Sequence, residues 1–196
     1  MQEFIGAAKL ALRDQLLTAR KRLPLADVGE RARALADHLL AAPEVRQAAT
    51  VAAYVSVSSE PGTGPLLDAL TRAGKRVILP LVQPDKDLDW AVYAGPTALH
   101  SARFGLLEPD GPPLGLDAIR GADAVLVPGL AVDREGMRLG RGAGCYDRVL
   151  ERVLPGTFVC LLLNSEEVLD AVPHEDHDRR VNAVATEDGI HRFARR

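Results

Sequence analysis

Apolar and polar positions along the chain repeat with two different periods. In residues 4–23 and again in residues 26–42, apolar side chains recur every three or four positions, with Pro24 and Pro43 marking the ends. This spacing places apolar residues on one face of a helix, and proline marks helix boundaries. The pattern therefore predicts two amphipathic helices at the start of the chain.

The remaining chain alternates between short β-prone runs and helical segments. The predicted strands are residues 50–57, 76–81, 87–93, 124–128, 157–163 and 181–186, and the predicted helices are residues 65–73, 145–153 and 165–171. Such alternation is typical of a parallel sheet covered by helices. We predict one domain over residues 1–196 with an α/β fold, a three-layer α/β/α sandwich with a mainly parallel central sheet and an edge strand at 87–93.

Two irregular segments follow predicted strands. Residues 58–64 carry Glu60, and the long loop at residues 94–113 carries Phe104. Strand ends and long loops commonly line ligand sites in α/β proteins. We interpret Glu60 as a partner for a polar, nitrogen-rich ring and Phe104 as a cover over a ligand, with a simply solvated glutamate as the alternative.

Glycines crowd residues 129–150 more densely than any other stretch. Gly140, Gly142 and Gly144 precede the helix predicted at 145–153 and follow the apolar strand at 124–128. Glycine allows tight turns and close backbone approach, and a helix N-terminus attracts anions. The segment matches neither the P-loop pattern nor the strict dinucleotide fingerprint. It predicts a phosphate site, with a flexible surface loop as the alternative.

Charged side chains in this segment suit the same ligand. Arg138 and Arg141 offer guanidinium groups for phosphate oxygens, and Asp147 falls in the first helical turn. A carboxylate at that point can reach a divalent metal bound to the phosphates. The combination indicates a nucleotide phosphate with its metal ion.

A second pair of cations lies on the first predicted helix. Lys9 and Arg13 are one turn apart on the same face, where like charges repel each other. A shared anion would relieve that repulsion, whereas a solvated basic face is the alternative.

Charge and composition narrow the classes of partner. The chain has 196 residues, 47% hydrophobic and 26% charged, and a net charge of -3, so we expect no general attraction to nucleic acid or acidic membranes. The two cysteines, Cys145 and Cys160, lack a disulfide or zinc spacing. No secretory or membrane-spanning segment is evident. We expect a cytoplasmic monomer that acts on small molecules.

The loop at residues 174–178 combines two histidines with carboxylates. A zinc site would need a fixed geometry that such a loop seldom supplies. A solvated turn is one alternative, and a magnesium shell that uses Asp178 with phosphates and water is the other.

These motifs together resemble the 5-formyltetrahydrofolate cyclo-ligase family, also called methenyltetrahydrofolate synthetase. The similarity runs nearly end to end. The motifs that carry it are Lys9-x-x-x-Arg13, Ser59-Glu60, Phe104-Gly-Leu-Leu-Glu-Pro109, Val127-Pro-Gly-Leu-Ala-Val-Asp133, Arg138-Leu-Gly-Arg-Gly-Ala-Gly-Cys-Tyr-Asp147 and His177-Asp178.

The resemblance implies a reaction that depends on ATP and Mg²⁺. It closes 5-formyltetrahydrofolate to 5,10-methenyltetrahydrofolate and releases ADP and phosphate through a phosphorylated formyl intermediate. The implied ATP-binding residues are Lys9, Arg13, Arg138, Gly140, Arg141, Gly142, Gly144 and Tyr146. The implied catalytic residues are Arg138, Arg141 and Tyr146, the folate-binding residues Glu60, Phe104, Cys145 and Tyr146, and the magnesium ligands Asp147 and Asp178.

Two positions depart from the family pattern. Cys145 replaces the first tyrosine of Tyr-Tyr-Asp, which implies a weaker folate contact, and Ala143 removes at most one phosphate contact. Two alternatives therefore accompany the main interpretation. One is a non-catalytic relative that binds nucleotide or folate, and the other is an enzyme that uses Cys145 as a nucleophile with a lowered thiol pKa.

Overall fold

The computed structural model describes residues 2–194, except for the side chains of residues 2, 3 and 104. The helices are α1 (Gln2–Arg20), α2 (Leu25–Ala41), α3 (Pro43–Gln47), α4 (Gly64–Arg72) and α5 (Cys145–Arg152). The strands are β1 (Thr50–Ala52), β2 (Arg76–Val82), β3 (Leu88–Val92), β4 (Leu99–Ser101), β5 (Leu107–Pro109), β6 (Ala124–Pro128), β7 (Ala131–Val132), β8 (Arg138–Leu139), β9 (Phe158–Leu162), β10 (Ala183–Thr186) and β11 (Gly189–Arg192).

A seven-stranded sheet runs through the middle of the molecule in the order β11-β10-β9-β6-β1-β2-β3. The five inner strands are parallel, while β3 and β11 pair antiparallel at the two edges. The mainly parallel sheet and the edge position of the strand near residue 90 are thus confirmed. The last strand, β11, was not predicted from the sequence.

Both faces of the sheet are buried under helical segments. Successive residues of β6 alternate between the two sides, with Leu126 in one apolar cluster and Val125 and Val127 in the other. The first cluster includes residues of α2, α3 and α4, and the second includes Val149 of α5 and Ile119 of a 3₁₀ helix at Leu116–Gly121. This confirms the three-layer sandwich and explains why the inner strands read as continuous apolar runs.

Helix α1 packs apart from these two clusters. Leu16 joins Leu130, Leu139 and Val172 in a third apolar cluster. Arg20, buried at the end of the helix, donates to both carboxylate oxygens of Glu167 at 2.6 and 2.8 Å and to the Gly129 carbonyl at 2.7 Å. Because Gly129 follows β6 directly, this contact fixes α1 against the end of the sheet.

Several predicted boundaries were wrong. The strand predicted at residues 50–57 spans only Thr50–Ala52, and the helix predicted at 165–171 is a single 3₁₀ turn, Ser165–Glu167. The loop at 94–113 contains the β4–β5 hairpin. The glycine segment does not follow β6 at once, because the short β7–β8 hairpin intervenes.

Candidate active site

A cavity of about 500 Å³ opens at the carboxyl ends of the parallel strands. Tyr54 and Val55, just beyond β1, and Pro128 and Gly129, at the end of β6, contribute to its wall. These two strands are neighbours, yet the chain leaves β1 toward β2 and later returns through β6 toward β9. The cavity therefore lies at the topological switch point, where open α/β sheets bind their ligands.

Nearly all residues predicted from the sequence as site residues meet around this cavity. Those in its wall are Lys9, Arg13, Glu60, Arg138, Gly140, Arg141, Gly142, Gly144, Cys145, Tyr146, Asp147 and Asp178. The side chain of Phe104 lies outside the described part of the structure, so its predicted cover over a ligand stays a prediction.

The glycine loop between β8 and α5 has the backbone that the sequence suggested. Gly142 and Gly144 have φ angles of +95° and +71°, a region that favours glycine. A Cβ on Gly142 would lie 3.3 Å from Cζ of Arg13, a tight contact that a shift of the Arg13 side chain would have to relieve. Gly144 immediately precedes the eight-residue helix α5. The first turn of α5, whose N–H groups have no intrahelical partners, therefore begins where the glycine loop lines the cavity.

Arg138 and Asp147 form a largely buried ion pair in the cavity wall. Arg138 donates from a terminal nitrogen to Asp147 Oδ1 at 2.7 Å, and its side chain is 3% exposed. Burial lowers the pKa of Arg138, although the neighbouring Asp147 opposes that shift. The Nε of Arg138 is buried and has no hydrogen-bond partner among the described residues. The guanidinium thus retains a donor that a ligand can satisfy.

Lys9 lies between two carboxylates of the loop before β10. Its ammonium donates to Glu175 Oε2 and to Asp178 Oδ2, both at 2.6 Å. Burial alone would lower the pKa of Lys9, but the hydrogen bonds to Asp178 and Glu175 outweigh it and raise the pKa. Glu175 was missed in the sequence analysis, where only its place in an acidic loop distinguished it.

Arg13 reaches the glycine loop from α1. Its Nε donates to the carbonyl oxygen of Gly140 at 2.9 Å. The guanidinium also lies beside Gly142, within 3.3 Å of where a Cβ of that residue would be. Helix α1 therefore brings Lys9 to the acidic loop and Arg13 to the glycine loop, one helical turn apart.

Arg141 and Glu60 connect the glycine loop to the loop after β1. A terminal nitrogen of Arg141 lies 3.1 Å from Glu60 Oε1, and the other carboxylate oxygen accepts a hydrogen bond from the Val57 N–H at 2.9 Å. Burial raises the pKa of Glu60, although Val57 and Arg141 oppose the shift. Glu60 is therefore not the solvated loop residue of the alternative interpretation.

Two tyrosines of the cavity wall have buried hydroxyl groups without partners. The hydroxyl groups of Tyr54 and Tyr146 are buried and make no hydrogen bond to any described residue. Burial raises the pKa of both, and the Glu60 carboxylate raises each further. Tyr54 was not singled out in the sequence, although its position at the end of a strand was an available signal.

One part of the cavity wall is apolar. The residues that form it come from β2, β3, β5 and the turn before β5, and they are Pro80, Val82, Leu88, Leu106 and Leu107. Glu108 of β5 lies beside them in the wall, where its carboxylate accepts a hydrogen bond from the Val82 N–H at 2.9 Å. The cavity thus has a wall suited to a flat ring system on one side and fixed charges from α1 and the glycine loop on the other.

The structure does not favour Cys145 as a nucleophile. Burial raises the pKa of its thiol, even though Arg148 acts in the opposite direction. No hydrogen bond joins Cys145 to a histidine in the part of the chain that the structure describes. A poorly ionised thiol without a base is a weak nucleophile.

The two predicted magnesium ligands both lie in the cavity wall. Asp147 is bound to Arg138, Asp178 is bound to Lys9, and the pKa of Asp178 is lowered by its hydrogen bonds despite burial, which alone would raise it. Within residues 2–194, no cluster of three or more His, Cys, Asp or Glu side chains is placed to hold a metal ion.

Within the same residues, no helix is both long and apolar enough to cross a membrane.

Comparison with known sequences gives a consistent result. A family model described as the 5-formyltetrahydrofolate cyclo-ligase family matches residues 5–187. A protein of Mycolicibacterium smegmatis named 5-formyltetrahydrofolate cyclo-ligase is 46% identical over 142 residues, which are 70% of this chain and 73% of that protein. The protein of the same name from Escherichia coli K12 is 36% identical over 118 residues, 59% of this chain and 65% of its own.

Solved structures show the same similarity. The NMR structure of a 5,10-methenyltetrahydrofolate synthetase from Aquifex aeolicus matches with a TM-score of 0.83 at 28% identity, covering 96% of this chain and 94% of the other. A 5,10-methenyltetrahydrofolate synthetase from Mycoplasma pneumoniae matches with a TM-score of 0.73 at 19% identity, over 91% and 98% of the two chains, which shows likeness of fold alone.

Proposed function

We propose that this chain, which belongs to the 5-formyltetrahydrofolate cyclo-ligase family, catalyses the ATP- and Mg²⁺-dependent cyclisation of 5-formyltetrahydrofolate. The products are 5,10-methenyltetrahydrofolate, ADP and phosphate. The observation that carries the proposal is the two-sided cavity at the switch point, which joins a cluster of cations and glycine N–H groups to an apolar wall beside a buried carboxyl group.

The charged side of the cavity suits the triphosphate of ATP. Arg138, Arg141, Lys9 and Arg13 supply positive charge, and the glycine loop supplies N–H donors before α5. The unpartnered Nε of Arg138 is the strongest single indication, because a buried donor without a partner costs free energy that an anionic ligand would recover. We infer that the γ-phosphate lies near Arg138 and Arg141.

Asp147 and Asp178 are the residues that would hold magnesium. Mg²⁺ in nucleotide sites usually takes one or two carboxylates together with phosphate oxygens and water. Asp147 Oδ1 accepts hydrogen bonds from Arg138 and from the Arg179 N–H, whereas no described residue donates to its Oδ2. When bound, the ion would neutralise negative charge on the phosphates.

The apolar side of the cavity suits the reduced pteridine. Pro80, Val82 and Leu88 offer an apolar surface. Glu60, Glu108 and Tyr146 border it with polar atoms. A carboxylate can accept hydrogen bonds from ring N–H groups, so Glu60 fits the nitrogen-rich edge of the ring. Phe104, proposed to cover the folate, and Cys145, at the start of α5, complete the folate contacts.

The chemistry requires activation of a formamide oxygen, which is a poor leaving group. That oxygen attacks the γ-phosphorus of ATP and ADP departs; N10 then attacks the formyl carbon, and the former formyl oxygen leaves as part of inorganic phosphate. Positioning and charge neutralisation are the main demands of phosphoryl transfer. We infer that Arg138 and Arg141 neutralise the charge and that Tyr146 orients the reacting groups; all three residues line the cavity.

The test is ADP release that depends on 5-formyltetrahydrofolate. Purified protein with ATP and Mg²⁺ should release ADP only slowly until the folate is added. After the addition, the amount of ADP released should equal the amount of folate consumed. A protein that binds both ligands but releases no additional ADP would be a non-catalytic relative, and the proposal would be wrong.

A further inference from the structure

Tyr54 has a buried hydroxyl group that the fold itself does not use. The residue is 4% exposed, its hydroxyl has no hydrogen-bond partner among the described residues, and it lines the cavity. Tyr93 provides a contrast, because it is also buried but lies outside the cavity wall and its hydroxyl interacts with Asp68. Buried polar groups in folded proteins normally have partners. The Tyr54 hydroxyl therefore points to a ligand.

The backbone holds Tyr54 firmly in this position. The Thr63 hydroxyl donates to the Tyr54 carbonyl oxygen at 2.9 Å and accepts from the Ser56 N–H at 2.9 Å. These bonds close the loop that also carries Glu60. The two side chains consequently belong to one rigid segment at the carboxyl end of β1.

Tyr54 and Glu60 line the same cavity, and the charge of Glu60 acts on the Tyr54 hydroxyl. Burial is the main cause that raises the pKa of Tyr54, and the negative charge of Glu60 raises it further, while Arg20 acts in the opposite direction. The phenol therefore keeps its proton and acts as a donor. Glu60 beside it is an acceptor.

We propose that the Tyr54 hydroxyl donates a hydrogen bond to a carbonyl or ring-nitrogen acceptor of the bound pteridine. This acceptor lies next to the ring N–H groups that donate hydrogen bonds to Glu60. A pteridine presents such donors and acceptors side by side along one edge. The inference rests on the proposed function, since it takes a reduced folate as the ligand. It makes Tyr54 a residue for folate recognition rather than for phosphoryl transfer.

The substitution Tyr54→Phe removes the hydroxyl and keeps the ring. We expect the KM for 5-formyltetrahydrofolate to rise roughly three- to tenfold, the effect of one lost neutral hydrogen bond, with kcat and the KM for ATP nearly unchanged. Urea unfolding should show a variant as stable as the wild type or more stable, because the deleted group has no partner in the folded protein. The matched control Tyr93→Phe should leave the folate KM unchanged and lower the stability.

The outcomes separate this inference from the proposed function. An unchanged folate KM in Tyr54→Phe, with a wild type that makes the methenyl product, would overturn the role of Tyr54 alone. A stability loss in Tyr54→Phe equal to that of Tyr93→Phe, without a change in folate KM, would show a purely structural hydroxyl. A wild type that neither binds nor converts 5-formyltetrahydrofolate would overturn the proposed function instead.

Discussion

Arg141 and Glu60 form an ion pair, 3.1 Å long, between the two loops that border the cavity. The glutamate side chain is 8% exposed, while the arginine side chain is 44% exposed. Glu60 comes from the loop after β1, on the proposed folate side, and Arg141 comes from the glycine loop, on the proposed phosphate side. The pair therefore joins the two substrate regions.

Arg141→Ala tests the phosphate side without disturbing the core. We expect ATP binding to weaken by about 1.5–3 kcal/mol, the range for a charge-assisted hydrogen bond. The free energy of unfolding should also fall somewhat, because the substitution leaves the buried Glu60 carboxylate without its arginine partner. Isothermal titration with ATP measures the first quantity. Arg120→Ala, an exposed arginine that does not line the cavity, is the control. Equal ATP affinity in wild type, control and Arg141→Ala would refute the assignment.

Glu60→Gln should make the protein more stable at neutral pH but less active. Burial raises the pKa of Glu60 above its ordinary value of 4.5, so the folded protein binds more protons than the unfolded chain just above pH 4.5 and the charged carboxylate destabilises the fold at neutral pH. The variant lacks this cost. Its free energy of unfolding relative to the wild type should rise as the pH increases from 4.5, then level off above the folded pKa.

The same variant should bind folate poorly, with a KM raised about tenfold or more, since a charged acceptor is lost. Glu30→Gln, on the exposed surface of α2, should change neither quantity. A pH-independent stability difference would contradict the burial argument, and an unchanged folate KM would contradict the role of Glu60 in recognition.

Asp147→Asn tests the proposed magnesium site. The variant keeps an oxygen that can accept the hydrogen bond of Arg138 but loses the negative charge. We expect the Mg²⁺ concentration for half-maximal rate to rise at least about tenfold, with activity partly restored at high Mg²⁺. Asp117→Asn, at an exposed position outside the cavity, should behave like the wild type. Wild-type turnover of Asp147→Asn at low Mg²⁺ would show that the assignment is wrong.

Cys145→Ala separates the cyclo-ligase account from a thiol mechanism. Because burial raises the thiol pKa, we expect the variant to keep most of its turnover, with a change in folate KM of a few-fold at most. Steady-state assays with varied ATP and varied 5-formyltetrahydrofolate would measure the turnover and the folate KM. If the variant bound both substrates normally but had no turnover, a nucleophilic thiol would have to be reconsidered.

The order of helices and strands could be predicted well from the sequence, because the spacing of apolar residues and the positions of prolines limit the local backbone conformation. The apolar run at β6 and the helix boundary at Pro43 are examples. Short elements were predicted less well. The β7–β8 hairpin has two residues in each strand, and β1 spans only Thr50–Ala52 within the apolar run at residues 50–57, so neither gives a distinct pattern.

Most of the candidate site residues chosen from the sequence line the cavity, but their pairing could not be predicted. Lys9 contacts Glu175 and Asp178 across more than 160 residues. Tyr54 reads in the sequence as an ordinary core aromatic within an apolar run. Its unpartnered hydroxyl becomes evident only when the fold shows which groups surround it.

The most direct test of the central claim is the appearance of the methenyl chromophore. Purified protein mixed with ATP, Mg²⁺ and 5-formyltetrahydrofolate should produce the absorbance of 5,10-methenyltetrahydrofolate at a rate proportional to the enzyme concentration, and omission of ATP should abolish it. If the complete mixture gives no methenyl absorbance while the protein is folded and binds ATP, the chain is not a 5-formyltetrahydrofolate cyclo-ligase.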